Sequence, residues 1–129
     1  MTHRFPIRVY YEDTDMAGIV YHANYLKFIE RARSDWVREQ GLDQKAMLEE
    51  DGIVFVVRRI EADYLMTAKY DDALEVRTKV RSMTGVRLIM TQEVMRGEEV
   101  IFRAEVTAVC VTREGQTARL PEKLRRRVH

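Results

Sequence analysis

Apolar residues recur at every second position from Phe5 to Tyr11 (Phe5, Ile7, Val9, Tyr11), with Arg4, Arg8 and Glu12 on the other parity. This is the period of a half-buried strand, expected to end near Glu12. The segment Asp13-Thr14-Asp15-Met16-Ala17-Gly18 then mixes short polar side chains with a glycine, which predicts a loop leading into a helix. From about His22 to Gln40 the spacing becomes three and four. Tyr25, Leu26, Ile29, Ala32, Trp36 and Val37 form one stripe, while Lys27, Glu30, Arg31, Arg38 and Glu39 take the rest. Such an amphipathic helix is about 28 Å long at a rise of about 1.5 Å per residue, and Gly41 stands where its end is expected. A second, short helix is expected over 43–50.

After Gly52 the period is two for most of sixty residues, which predicts four more strands. Val54, Val56, Ile60, Ala62, Tyr64 and Met66 are expected on one face. Leu74, Val76, Thr78 and Val80 oppose Glu75, Arg77, Lys79 and Arg81. Thr84-Gly85 and Gly97-Glu98 separate alternating runs, so the last three strands read as consecutive antiparallel hairpins. One long helix and five strands, each with one apolar face, are satisfied together by an α+β arrangement in which a curved antiparallel sheet wraps around the helix. Ile89, Met95, Ile101, Val109 and Val111 fall on the opposite parity, and the pattern predicts that they are buried against another subunit.

The chain has 129 residues, the size of one domain, and 1–129 is read as a single unit with a basic tail over about 119–129. Hydrophobic residues at 46% and charged residues at 33% exclude a disordered chain. Lys and Arg number 22 against 21 Asp and Glu, so a net charge of +1 gives no general attraction to nucleic acid or to an anionic membrane. The N-terminal residues lack the apolar segment of a secretory signal, and no stretch approaches the roughly 18 apolar residues of a membrane span. One cysteine, Cys110, lies in the apolar run Val106 to Val111 and reads as a buried thiol in a reducing, cytoplasmic setting. In the tail, Arg119, Lys123, Arg125, Arg126 and Arg127 face Glu122 alone, either as a solvated end or as a clamp for an anionic group.

Chemistry concentrates between Tyr10 and Tyr25. Asp13 and Asp15 stand two apart before the helix, where backbone N–H groups lack intrahelical partners and carry the positive end of the dipole. Those N–H groups suit an oxyanion, and a neighbouring carboxylate suits attack on a carbonyl carbon or activation of a water. The alternative is that the aspartates are helix N-caps. His22 either orients substrate, carboxylate or water, or is a hydrogen-bonded histidine at a helix start. Tyr11 and Tyr21 either line an acyl pocket or pack, and Asn24 bonds a backbone group or a ligand. His3, His22 and His129 are far apart with no accompanying Cys/His spacing, so no metal is expected. A phosphate-cradling glycine loop, a serine nucleophile elbow and a dinucleotide fingerprint are missing from the sequence.

Asp13-Thr14-Asp15-Met16-Ala17-Gly18-Ile19-Val20-Tyr21-His22-Ala23-Asn24-Tyr25-Leu26, followed by Glu30-Arg31-Ala32-Arg33, resembles the 4-hydroxybenzoyl-CoA thioesterase family of hotdog proteins, closest to its bacterial Tol-Pal-associated acyl-CoA thioesterases. Phe55-Val56-Val57-Arg58, Tyr70 to Val76, Val109-Cys110-Val111 and Leu120-Pro121 carry the resemblance over nearly the whole chain. It implies a hotdog fold and hydrolysis of an acyl-CoA or acyl-carrier-protein thioester, with no cofactor beyond the CoA of the substrate. It implies that Asp15 is the catalytic carboxylate, that Asp13 braces the loop, and that the His22 backbone N–H binds the oxyanion. The His22 side chain and Tyr11 match residues of the same branch. Gly18, Val20, Tyr21 and Asn24 fall at substrate-binding positions of the motif. Met16-Ala17 departs from the commonest spelling of the loop, which bears on acyl preference. The resemblance also implies dimers with sites between subunits and pairs of dimers forming a homotetramer. CoA phosphates need cations, for which Arg58, Arg59, Arg81, Lys123 and Arg125 are candidates. Two other functions suit the same features: a hydratase or dehydratase acting beside a thioester carbonyl, and a non-catalytic protein that binds acyl-carrier protein or an envelope-associated partner.

Overall fold

The computed structural model describes residues 2–128. Strand β1 (His3–Arg8) is followed by a 3-10 turn (Tyr11–Asp13), helix α1 (Asn24–Glu39), and a short helix α2 (Gln44–Ala46) that continues as a π turn (Met47–Asp51). Strands β2 (Ile53–Tyr64), β3 (Ala73–Met83), β4 (Arg87–Arg96), β5 (Glu99–Thr112) and β6 (Thr117–Ala118) and helix α3 (Glu122–Val128) complete the order. The sheet is antiparallel with strand order β1-β3-β4-β5-β2, and β6 adds two residues alongside β5. This is the hotdog arrangement expected from the alternation, with a sixth, two-residue strand that is too short to have a period. The two consecutive hairpins β3-β4 and β4-β5 are present as read.

Helix α1 lies against the sheet between two apolar clusters. Tyr25, Phe28, Ile29 and Ala32 pack with Val76, Val94, Phe102 and Val106, whereas Trp36 and Val37 pack with Leu88, Met90, Cys110 and Leu124. The helix starts two residues later than expected, and its stripe is centred differently. Leu26 is 37% exposed, while Phe28, left out of the expected stripe, is fully buried. Four of the five residues Tyr25 to Ile29 are apolar, so the sheet, not the sequence period, decides which of them face inward. At the other end Gly41 adopts φ +82, and a Cβ there would lie 2.9 Å from Lys123 Cε. Lys123 Nζ donates to the Gly41 carbonyl at 2.8 Å, which ties the basic C-terminal helix onto the end of α1.

Two expectations about faces are corrected. In β2 the register with β5 slips between Val57 and Arg59, leaving Arg58 as the extra residue of a β-bulge. Ile53 and Phe55 therefore pack on one cluster before the bulge, Ile60 and Ala62 on the other after it, and Val54 and Val56 fall on the opposite face. Of the five residues assigned to a subunit contact, Met95, Ile101 and Val109 are already buried by the chain itself, Ile101 in the core. The cause at Ile101 is a second irregularity, where Val94 pairs with Phe102 but Met95 pairs with Val100.

Cys110 sits opposite Phe55 in the second cluster, and burial pushes its thiol up to about 11. A protein with this thiol in place gives almost no reaction with a thiol-reactive chromophore at pH 8. One equivalent per chain appears on denaturation, and prompt labelling of the folded protein would contradict the packing.

Candidate active site

The loop that carries the paired aspartates is held by Asp13. Its buried carboxylate accepts a hydrogen bond from the Tyr10 N–H at 2.8 Å, which ends the strand at Arg8 and turns the chain. Its carbonyl accepts from the Tyr21 N–H and from Asn24 Nδ2, both at 2.9 Å. Asp13 thus joins the two ends of the loop. Asn24 bonds this backbone group, the structural option among those open to it. The loop is pinned further by Val20 N–H to Ala68 O at 2.8 Å and by short bridges between Thr14 and Val20 and between Ile19 and Lys69.

Asp15 lies inside this frame. Its N–H donates to Ile19 O at 2.9 Å, its carbonyl accepts from the Gly18 N–H at 3.0 Å, and its Oδ1 accepts from the Ala17 N–H at 2.9 Å. Gly18 takes φ +80, a left-handed conformation that side chains resist and that lets the loop turn back toward Ile19. Oδ2 of Asp15 has no hydrogen-bond partner among the described residues. Neither aspartate caps α1: the N-cap is Ala23, with helical backbone and no side-chain cap.

Asp15 lines a cavity of about 360 Å³ together with Val20, His22, Tyr25 and the segment Tyr64 to Thr67. The His22 carbonyl accepts from the Tyr64 hydroxyl at 3.0 Å, and its ring lies edge-on to Tyr64 and 4.5 Å from the Tyr21 ring. Of the neighbouring N–H groups, that of Tyr21 is used toward Asp13 and that of Asn24 toward Tyr21, whereas the His22 and Ala23 N–H groups have no acceptor among the described residues. Tyr25 accepts from the Ala68 N–H at 3.1 Å, and burial raises its hydroxyl above the ordinary tyrosine value against the opposing effect of that bond. It is therefore a neutral wall group.

The cavity unites Asp15, Val20 and His22, with Gly18 shaping the loop beside it. Tyr21 is partly exposed at the ring of His22. Tyr11 is turned away: it is 79% exposed and stacks on Tyr70, with centroids 4.5 Å apart and planes within 5°. The cations are not at the cavity of their own chain either. Arg59 pairs with Glu61 at 2.5 Å, Arg81 pairs with Glu105, and Arg125 Nε donates to Leu120 O at 3.0 Å. Arg58 is exposed at the bulge. Tyr25 and the Tyr64 to Thr67 wall were not legible as site residues, because only the pairing of β2 with β5 brings the end of β2 over the loop. His3, read as isolated in sequence, contacts Asp35 at 2.9 Å and Glu39 at 3.2 Å near the far end of α1, and His129 lies outside the described residues.

The thioesterase-like superfamily matches residues 9–128. An acyl-CoA thioesterase, YbgC, from Haemophilus influenzae is 45% identical over 107 residues, 83% of this chain and 79% of that protein. The crystal structure of a probable thioesterase from Bartonella henselae superposes with a TM-score of 0.90 at 36% identity, covering 94% of this chain and 100% of that one. A 4-hydroxybenzoyl-CoA thioesterase complexed with 4-hydroxybenzoyl-CoA superposes at 0.92 with 22% identity, over 99% of both chains, a likeness of fold.

Proposed function

The chain belongs to the thioesterase-like superfamily, and on that premise we propose that it hydrolyses acyl-CoA thioesters, with Asp15 as nucleophile or general base and the His22 backbone N–H as oxyanion donor. The observation that carries the reading is that one cavity is lined by both Asp15, whose Oδ2 is unengaged among the described residues, and His22, whose N–H is unengaged among them. In this reading the thioester carbonyl oxygen sits at the His22 N–H, and Asp15 Oδ2 serves the carbonyl carbon or the water that attacks it. As a base it takes the proton of that water as the C–O bond forms. As a nucleophile it forms a mixed anhydride that water then opens. In both routes the C–S bond breaks, CoA leaves as a thiol or thiolate, and the acyl group leaves as a carboxylate. No metal or further cofactor enters the scheme. His22, through its ring, and Tyr21 border the path of the substrate, while Tyr11 takes no part in the chemistry of its own chain.

The whole chain acts as one catalytic unit, and two copies complete its sites. Support comes from β2, a twelve-residue edge strand whose outer side is unpaired among the described residues, and whose first half and last residue border separate cavities. Arg58, exposed at the middle of that edge, and the adjacent Arg59 are the cations for the CoA phosphates of a site shared in this way, with Arg81 of β3 a more distant candidate across β4 and β5. Two dimers then pair into a tetramer. The unpaired, buried Cys110 suits the reducing cytoplasm as the place of work.

Purified protein mixed with short, long and aromatic acyl-CoAs releases free CoA thiol, read with a thiol-reactive chromophore to which Cys110 is silent. Enoyl-CoA hydration without thiol release would replace hydrolysis by a hydratase. Tight binding of acyl-carrier protein without turnover would replace it by a binding function.

A further inference from the structure

Between the end of β2 and the start of β3, residues 65–72 run outside the strands, where backbone N–H and C=O groups must find partners one at a time. Leu65 and Met66 both donate to Ile101 O at 3.0 Å. Beyond them side chains take over. Arg96, the last residue of β4, donates through Nη1 to Thr67 O at 2.9 Å and to Asp72 Oδ2 at 3.1 Å. The same Asp72 oxygen accepts from the Lys69 N–H at 2.9 Å. Asp72 is itself anchored, because its carbonyl accepts the Val9 N–H at 3.0 Å and the Asp71 N–H donates to Val9 O at 2.9 Å. The Arg96 and Asp72 side chains are only 27% and 25% exposed, so these charge-assisted bonds are partly shielded from water. Arg96 Nη2 reaches Glu99 Oε1 at 3.5 Å, a weaker contact across the β4–β5 turn.

The segment held in this way is the base on which the Asp15 loop rests. Ala68 O accepts the Val20 N–H at 2.8 Å, Ile19 bridges Lys69, and Val20 bridges Thr14. Ile19 O in turn accepts the Asp15 N–H at 2.9 Å. Residues 67–69, 19–20 and 14–15 therefore form a miniature antiparallel ladder of three rows, with Asp15 in the third. A ladder with so few bonds is marginal by itself, so its position is set by what holds its outer rows. Asp13 holds one side, and Arg96 with Asp72 holds the other. We propose that the Arg96–Asp72 pair is a positioning pair for catalysis, fixing residues 67–69 and through them the place of the Asp15 carboxylate. Thr67 lines the Asp15 cavity, whereas neither Arg96 nor Asp72 is among its lining residues, so the pair acts through the ladder and not on the substrate. The proposal rests on the hydrolase reading with Asp15 in the chemistry. A shift of about 1 Å in a reacting group costs up to about 10²-fold in rate, which makes kcat the sensitive quantity.

The test measures kcat, KM and Tm for Arg96→Met, Arg96→Lys and Arg103→Met, with the acyl-CoA that wild type turns over fastest in the panel above. Arg103 is the control: it pairs with Glu93 through Nε at 2.9 Å and Nη2 at 2.7 Å, with no bond to residues 65–72 among the described residues. Arg96→Met is expected to lower kcat by about 10-fold or more with KM within about twofold. Arg96→Lys restores part of the loss, since one nitrogen makes both bonds in wild type and an ammonium has donors for both. Arg103→Met leaves kcat within about twofold. Full kcat in Arg96→Met, a loss no greater than that of Arg103→Met, or a change confined to KM overturns the proposal. Should Arg96→Met not fold, Asp72→Asn takes its place, because an amide oxygen still accepts the Lys69 N–H while the charge is gone. A several-fold fall in its kcat supports the proposal, and an unchanged kcat overturns it. If wild type releases no thiol from any acyl-CoA, the hydrolase reading fails separately, and amide hydrogen exchange decides whether the pair holds the loop. Val20 and Lys69 amides exchanging about 10-fold faster in Arg96→Met, with those of β5 unchanged, support it, and equal rates overturn it.

Discussion

Asp15→Asn is expected to lower thiol release by about 10³-fold or more while leaving the fold unchanged. The substitution is close to a pure chemical probe because of how the side chain is held. Oδ1 accepts a single bond from the Ala17 N–H, and an asparagine oxygen accepts the same bond, so the loop keeps its geometry. The group lost is Oδ2, replaced by an amide nitrogen that neither attacks a carbonyl carbon nor takes a proton from water. Stability should stay within about 0.5 kcal/mol of wild type, as for an exposed polar exchange. Unchanged turnover in a folded Asp15→Asn protein would remove Asp15 from the chemistry. A collapse of Tm together with turnover would make it a bracing residue like Asp13.

The sequence made the order of elements legible, since each of the long ones carries its period over at least two turns or several alternations. It also made Asp15 and His22 legible as one locality, because the residues that shape the loop are contiguous. What it hid depends on pairing. Residues 53–57 are apolar without alternation, so neither parity is favoured, and the bulge at Arg58 that reverses the face of β2 has no glycine or proline to announce it. Ile101 shares its apparent parity with outward residues and is core because of a second slip in register. Tyr11 continues the alternation of β1 on paper, but Asp13 has already turned the chain through the Tyr10 N–H, and the ring ends on Tyr70. The far wall of the cavity, Tyr64 to Thr67, is more than forty residues from Asp15 and is recruited only by the sheet. The loop that carries Asp15 and His22 was therefore readable, and the far side of the enclosure was not.

That enclosure makes Phe102 the core residue whose loss should matter most. Phe102 is fully buried, stacks on Tyr25 with centroids 5.0 Å apart and planes within 10°, and meets Tyr64 edge-on, also at 5.0 Å. Tyr25 and Tyr64 are walls of the Asp15 cavity, and the Tyr64 hydroxyl holds the His22 carbonyl. Phe102→Ala removes the ring on which both tyrosines rest and is expected to cost about 3–5 kcal/mol in denaturant unfolding, the range for emptying such a site. Turnover should fall further than the folded fraction does, because a slack Tyr64 no longer fixes the His22 carbonyl, one peptide on from the His22 N–H. Tyr64→Phe separates the two effects: it keeps the packing, loses one hydrogen bond worth about 1 kcal/mol, and should lower kcat more than it raises KM. Full kcat in folded Phe102→Ala, with stability alone reduced, would confine the aromatic cluster to the core and leave His22 positioned by the Asp13 frame alone.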